Sequence, residues 1–192
     1  MRLTDSAAKS ARLQLALIAI VFFGPLLAAA WMYYGGHFDA SRGSNHGALL
    51  QPIVKLREAL PDSAMLIQGE GRWMLLFAND SYCEQTCRDA LNTLRQGRLM
   101  LGKEQQRLVR GFLHGDTAPD KVFLAAEHPG LIITQDTRLA DLLNKNKPGQ
   151  LAAGGYFLLD PLGNLVMYFR PDIDPSDMVA DIEHLLRLSH IG

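Results

Sequence analysis

The sequence lacks an excess of charge of either sign: 19 Lys and Arg stand against 20 Asp and Glu, for a formal net charge of -1. Nucleic-acid binding rests on clustered Lys and Arg that neutralise phosphates, so no nucleic-acid partner is expected. The chain also has no glycine-rich phosphate loop, no nucleophile elbow and no metalloprotease helix, which sets aside the hydrolase and kinase apparatus. It has no internal repeat. Its 192 residues, 48% of them hydrophobic, hold one compact domain and a short further element rather than two full domains. Long hydrophobic runs are scarce, with one near the N-terminus that lifts the mean hydropathy to +0.01. Cysteine is scarcer still: there are two.

The hydrophobic run, Leu13 to Tyr34, contains no charged residue and has about the 20 residues that a helix needs to cross the hydrocarbon core. Trp31, Tyr33 and Tyr34 cluster at its end, where amphipathic rings favour the lipid–water boundary. Arg2, Lys9 and Arg12 precede the run, whereas Arg42 alone follows closely, so the positive-inside rule puts the N-terminus in the cytoplasm. Ala28, Ala29 and Ala30 offer a cleavage site for a secretory signal, but the run exceeds the apolar region of about 7–15 residues usual for such peptides. Either way the rest of the chain is exported. The expected plan is a cytoplasmic leader at 1–12, a transmembrane helix at 13–34, a periplasmic linker at 35–52 and a folded domain at 53–192, on a bacterial inner membrane.

Within that domain the apolar run at 72–79 predicts a buried central strand, and a helix follows at once, with Ser81 and Glu84 spaced as a capping box. A strand is expected over Leu108 to His114, a short helix from Pro119 up to Glu127, a strand over Leu131 to Thr134 and a helix near 137–145. Two further strands flank Asp160-Pro161-Leu162-Gly163-Asn164, where Pro fixes one φ and Gly takes a positive one. A final helix starts with Asp174 as cap and Pro175 at its first position. The order β-α-β-α-β-β-α, with a cysteine pair at the first helix, is that of an α/β thioredoxin-like fold.

Both cysteines lie in one local motif, Cys83-Glu84-Gln85-Thr86-Cys87, directly after the central strand. Four residues apart on a helix they share a face at a Cα separation of roughly 6 Å, within reach of a disulfide. The helix N-terminus favours the Cys83 thiolate, while Glu84 beside it opposes that effect. The pair can therefore exchange disulfides, with Cys83 attacking and Cys87 resolving, or hold a soft metal. The structural alternative is a static bridge, common in exported proteins, although so short a loop gains little from chain entropy.

At these residues the sequence resembles the Sco/SenC family of membrane-anchored copper proteins of cytochrome c oxidase assembly, over roughly residues 70 to 189. The likeness rests on Leu75-Leu76-Phe77-Ala78 leading into Cys83 and Cys87, on the hairpin Leu158-Leu159-Asp160-Pro161-Leu162-Gly163, and on the terminal helix. It resembles in particular a group of short Sco-like membrane proteins of proteobacteria. The resemblance implies copper as a cofactor, Cu(I) held by Cys83 and Cys87, and oxidase subunits or assembly factors as partners. Glu84 and Arg88 stand where the family usually has proline, and the stretch Gln150-Leu151-Ala152-Ala153-Gly154-Gly155 lacks the family's copper-ligating histidine. Two thiolates without an imidazole suit Cu(I) better than Cu(II). His46, on a linker able to fold back over the helix, and then His114, at a strand end, are the substitutes in order of preference. His37 is expected at the membrane boundary, and His128, His184 and His190 on the surface. Cu(I) handling, thiol redox, general oxidoreductase activity and a scaffold with a structural bridge all remain open.

Overall fold

A computed structural model describes residues 3–34, 45–80, 82–117, 119–148, 154–189 and 191. The chain divides into two compact units, Met1–Gly43 and Ser44–Gly192. In the first, a single helix α1 covers Leu3–Tyr34 with Pro25 inside it, so residues 3–12 of the expected leader and the apolar run lie on one helix. Among the described residues, no helix is long and apolar enough to cross a membrane.

The second unit is a six-stranded mixed sheet in the order β1-β6-β5-β2-β3-β4. Its strands are β1 (Ala48–Lys55), β2 (Trp73–Asn79), β3 (Leu108–His114), β4 (Leu131–Thr134), β5 (Tyr156–Leu159) and β6 (Asn164–Phe169). Strands β2, β3 and β4 run parallel, while β5 lies antiparallel to β2, β6 to β5 and β1 to β6. Short helices α2 (Leu56–Ala59) and α3 (Ala64–Gln68), long helices α4 (Gln85–Met100) and α7 (Pro175–Leu188), α5 (Lys121–Glu127) and α6 (Thr137–Asn146) cover the two faces.

The unbroken apolar run of β2 follows from this cover. Successive side chains of a strand point to opposite faces, so a strand buried on both sides has no polar alternation. Trp73, Leu75 and Phe77 pack with Leu91 and Leu94 of α4 and Met178 and Ile182 of α7, whereas Met74 and Leu76 pack with Leu56, Met65, Leu139 and Leu143 on the other face. The hairpin closes as expected. Gly163 takes φ +78°, its N–H donates to the Asp160 carbonyl at 2.9 Å, and the Asp160 carboxylate accepts from the Leu162 and Asn164 N–H groups. The Asp174 carboxylate accepts from the Ser176 N–H at the start of α7.

Two expectations need correction. The linker placed at 35–52 gives way to the sheet from Ala48, so the domain starts before residue 53. An edge strand with Pro52 and with Leu49 and Ile53 exposed has neither a clean alternation nor a buried run to announce it. Helix α4 begins later than the capping box requires: its N-cap is Glu84, with no side-chain cap hydrogen bond, and the Glu84 N–H already donates to the Tyr82 carbonyl. Ser81, the other half of the expected box, lies outside the described residues.

Candidate functional site: a disulfide at the β2–α4 junction

Strand β2 delivers the chain to the C-terminal edge of the sheet, where Asn79 pairs in register with His114 of β3. Tyr82, Cys83 and Glu84 then bridge to α4. Cys83 stands one residue before the N-cap and Cys87 sits in the first turn, so the helix starts three residues later than a cap at Ser81 would start it and Cys83 falls outside it. The two are joined as a disulfide with a Cα–Cα distance of 5.0 Å. The pair is thus brought together as the spacing requires, although nearer than a regular helical turn would hold it.

The two sulfurs have different surroundings. Cys87 is only 5% exposed and belongs to the core cluster with Phe77, Leu91, Phe112 and Tyr156. The ring of Phe77 lies 5.9 Å from that of Phe112 and 5.6 Å from that of Tyr156. Cys83 is partly buried, and it shares a small pocket with Tyr82, Arg88, Pro119, Asp120 and Phe123. The Arg88 guanidinium stands 4.5 Å from the centroid of the Phe123 ring, a cation–π contact.

Beside Cys87 opens a cleft of about 650 Å³ between the start of α4 and the residues entering β5. Its far wall is Gly154, Gly155 and Tyr156. Gly155 has φ +112°, and a Cβ there would lie 2.5 Å from the Tyr168 Oη and 2.7 Å from the Phe169 carbonyl oxygen, so this wall admits no side chain. The Tyr168 hydroxyl donates to the Gly154 carbonyl at 3.0 Å and fixes the turn. Burial pushes the Tyr156 and Tyr168 phenols above their ordinary values, so both stay neutral donors. The charged groups lining this cleft are the carboxylates Asp80, Glu84 and Asp89.

The histidines do not join the sulfurs. His46 is fastened to α7, with Nδ1 3.3 Å from Asp181 Oδ1 and Nε2 3.4 Å from Asp177 Oδ1. Asp181 is buried, and a buried carboxylate requires hydrogen-bond donors; the Gly47 N–H supplies another at 2.7 Å. His114 does reach the expected sheet edge, but its Nδ1 lies 2.7 Å from the Gly115 carbonyl oxygen in a hollow shared with Asp80 and Asp116. His184 is exposed as expected. His128 is not on the surface: it is 2% exposed, packed edge-on against Phe123 with ring centroids 5.3 Å apart. Burial, with Arg110 and Arg95 nearby, lowers its pKa and keeps the ring neutral. His37, His190 and Gln150 to Ala153 lie outside the described residues.

Among the described residues no three of His, Cys, Asp and Glu come together to hold a metal. With the sulfurs bonded to each other and His46 and His114 engaged elsewhere, these residues do not fit a three-ligand copper centre. The Arg88–Phe123 pair and the glycine wall were not legible in the sequence, since both depend on contacts between distant segments.

The fold has known counterparts. Yeast Sco1 matches with a TM-score of 0.52 at 20% identity, covering 65% of this chain and 85% of the other. Yeast Sco1 with copper bound gives 0.51 at 22% identity, covering 65% and 81%. Arabidopsis thaliana ScoI with copper bound gives 0.51 at 17% identity, covering 65% and 89%. At such identities the likeness is one of fold, and it agrees with the Sco resemblance read from the motifs. No curated protein matches the sequence significantly. The model of a transmembrane-like N-terminal domain matches residues 9–36. The model described as the transmembrane-like, thioredoxin-like C-terminal domain matches residues 73–189, more than half of the chain. The chain therefore belongs to this transmembrane-like, thioredoxin-like family, with a domain of Sco-like fold that carries one disulfide at the head of helix α4.

Proposed function

We propose that this protein is a membrane-anchored thiol–disulfide exchange protein of cytochrome c oxidase assembly, in which Cys83 is the attacking sulfur and Cys87 the resolving one. The observation that carries the reading is the asymmetry of the bond: Cys83 is partly buried beside a small pocket at the edge of the core, while Cys87 is buried in the core and lines an open cleft. A bridge that served stability alone would close a longer loop than this sequence separation of four.

In the reduced form the Cys83 thiolate attacks one sulfur of a partner protein's disulfide. A Cys83–partner S–S bond forms, the partner's own S–S bond breaks, and its second sulfur leaves as a thiolate that takes a proton from water. The Cys87 thiol then gives its proton to water, and its thiolate attacks the Cys83 sulfur, restoring the Cys83–Cys87 bond and releasing the second partner thiolate. The partner gains two electrons and the Cys83–Cys87 pair loses two. The partner cysteines best suited by the family likeness are the copper-ligand cysteines of an oxidase subunit, which bind metal only when reduced.

Residues 13–34 serve as the anchor in the bacterial inner membrane, residues 1–12 as a cytoplasmic leader, and the domain faces the periplasm. The transmembrane-like match at 9–36 and the one-sided placement of Arg2, Lys9 and Arg12 support this topology. Protease added to spheroplasts is expected to degrade the domain and spare the leader.

The function is tested by trapping. In cells, Cys87→Ser is expected to accumulate a dithiol-sensitive adduct between Cys83 and an oxidase subunit or assembly factor, and Cys83→Ser to accumulate none. Full oxidase activity with the Cys83→Ser/Cys87→Ser double variant would make the protein a scaffold with a structural bridge. Adducts spread over many unrelated exported proteins would make it a general oxidoreductase. Titration of the reduced chain with Cu(I) reads direct copper carriage separately, as binding lost in the double variant.

A further inference from the structure

We propose that Arg88 is a positioning residue for the exchange reaction, whose guanidinium, clamped over Phe123, makes Cys83 rather than Cys87 the thiolate of the reduced pair. The inference rests on the exchange reading above and deepens it.

Arg88 lies in the first turn of α4, and its side chain lines the same small pocket as Cys83. A long side chain at a surface is ordinarily mobile, and a mobile charge is well screened. Here Phe123 of α5 holds the guanidinium at 4.5 Å from its ring centroid. Phe123 is itself braced by the buried His128 ring, and α5 is fixed by its own cap, the Asp120 carboxylate accepting from the N–H groups of Val122 and Phe123. The cation is therefore delivered by one helix and fixed by another.

The opposing charges can be placed. Asp120 belongs to the Cys83 pocket, but its carboxylate is turned to the α5 N–H groups. Glu84 is exposed and adjoins Cys83. On the other side of the bond, Asp80, Glu84 and Asp89 line the cleft that Cys87 faces, and Asp89 accepts from the Gln85 amide at 2.8 Å. Among the described residues lining these two hollows, Arg88 is the only Lys or Arg. A positive charge near a thiol favours the thiolate, and carboxylates near a thiol disfavour it. The cation thus stands on the Cys83 side and the carboxylates of Asp80 and Asp89 on the Cys87 side, and a partner's disulfide meets the more nucleophilic sulfur at the less buried of the two residues.

The experiment uses the full chain in detergent micelles, reduced with a dithiol that is then removed. The rate of iodoacetamide alkylation at Cys83 is followed by mass spectrometry across pH. Cys83 is expected to titrate below the ordinary thiol value of about 8.5. Arg88→Gln is expected to move that midpoint up by about one pH unit. Arg88→Lys, which keeps the charge, is expected to hold the midpoint near the wild type, and Phe123→Leu, which frees the guanidinium, to fall between. Loss of the fold would also return the midpoint toward the free-thiol value of about 8.5, so the fold of each variant is checked by circular dichroism, and Arg88→Lys, substituted at the same position but still charged, separates loss of charge from loss of fold. Equal midpoints in wild type and Arg88→Gln, with Cys83 still alkylated faster than Cys87, would overturn the role of Arg88 alone. A bond that resists the dithiol, or equal reactivity at the two cysteines, would overturn the exchange reading and this inference together.

Discussion

The two ends of one disulfide sit in unlike halves of the site. The Cys87 side is sheet and core: Phe77 and Phe112 from β2 and β3, Tyr156 from β5 and Leu91 from α4, all buried. The Cys83 side is helix and surface: Tyr82 is exposed, Arg88 and Phe123 are half-buried, and the covering element α5 has seven residues. Placing one sulfur in a rigid wall and the other at a light, polar edge lets the bond be attacked at one end while the other end is held in place.

That contrast is quantitative and can be broken from either side. On the core side, Phe112→Ala removes a fully buried ring beneath Cys87 and is expected to cost about 3–5 kcal/mol, read as the loss of unfolding free energy in urea. A cost near that of a surface substitution would mean that this wall is not rigid. Removing the bond itself with Cys83→Ser/Cys87→Ser is expected to cost about 2 kcal/mol, because the closed loop is so short. A much larger loss would argue for a structural bridge. On the light side, Asp120→Ala deletes the α5 cap and is expected to cost about 1 kcal/mol. The same variant is expected to raise amide hydrogen exchange in 121–127 while leaving β2 and β3 protected.

The smallest effect is one of pH. Burial, then Arg110 and Arg95, hold the folded-state pKa of His128 below that of a free imidazole, with Glu127 acting the other way. Above about pH 6.5 the ring is neutral in both folded and unfolded chains, and its contribution is intact. As pH falls below that point the unfolded chain takes up a proton that the folded chain refuses, so stability is lost until the lower folded value is reached. The urea midpoint is expected to drop further between pH 7.5 and pH 5.5 in the wild type than in His128→Phe. Equal drops would remove His128 as a pH-dependent support of α5.

Much of the sheet was legible because it is buried on both faces. The strands expected at Leu108–His114 and Leu131–Thr134 became β3, buried up to His114, and the partly buried edge strand β4, and Asp174-Pro175 started α7, each from a signal contained in a few adjacent residues. Strand β1 was not legible, since its partner β6 lies more than a hundred residues away and its own sequence is interrupted by Pro52. The cysteine pair announced itself by spacing, but the difference between its ends did not. Phe123, His128 and Arg88 meet only when α5 packs beside α4, and a histidine followed by proline reads as a surface residue until Phe123 is seen against it. The same holds for His46, whose partners Asp177 and Asp181 lie on the last helix.

The central claim is that Cys83–Cys87 is an exchanging bond. Redox titration of the full chain in micelles against a glutathione buffer, with oxidised and reduced forms counted by thiol alkylation, measures this directly. The account predicts a reduction potential between about -120 and -270 mV, the range of proteins that trade disulfides. A value well below about -300 mV would mark a bridge built to persist and would contradict it.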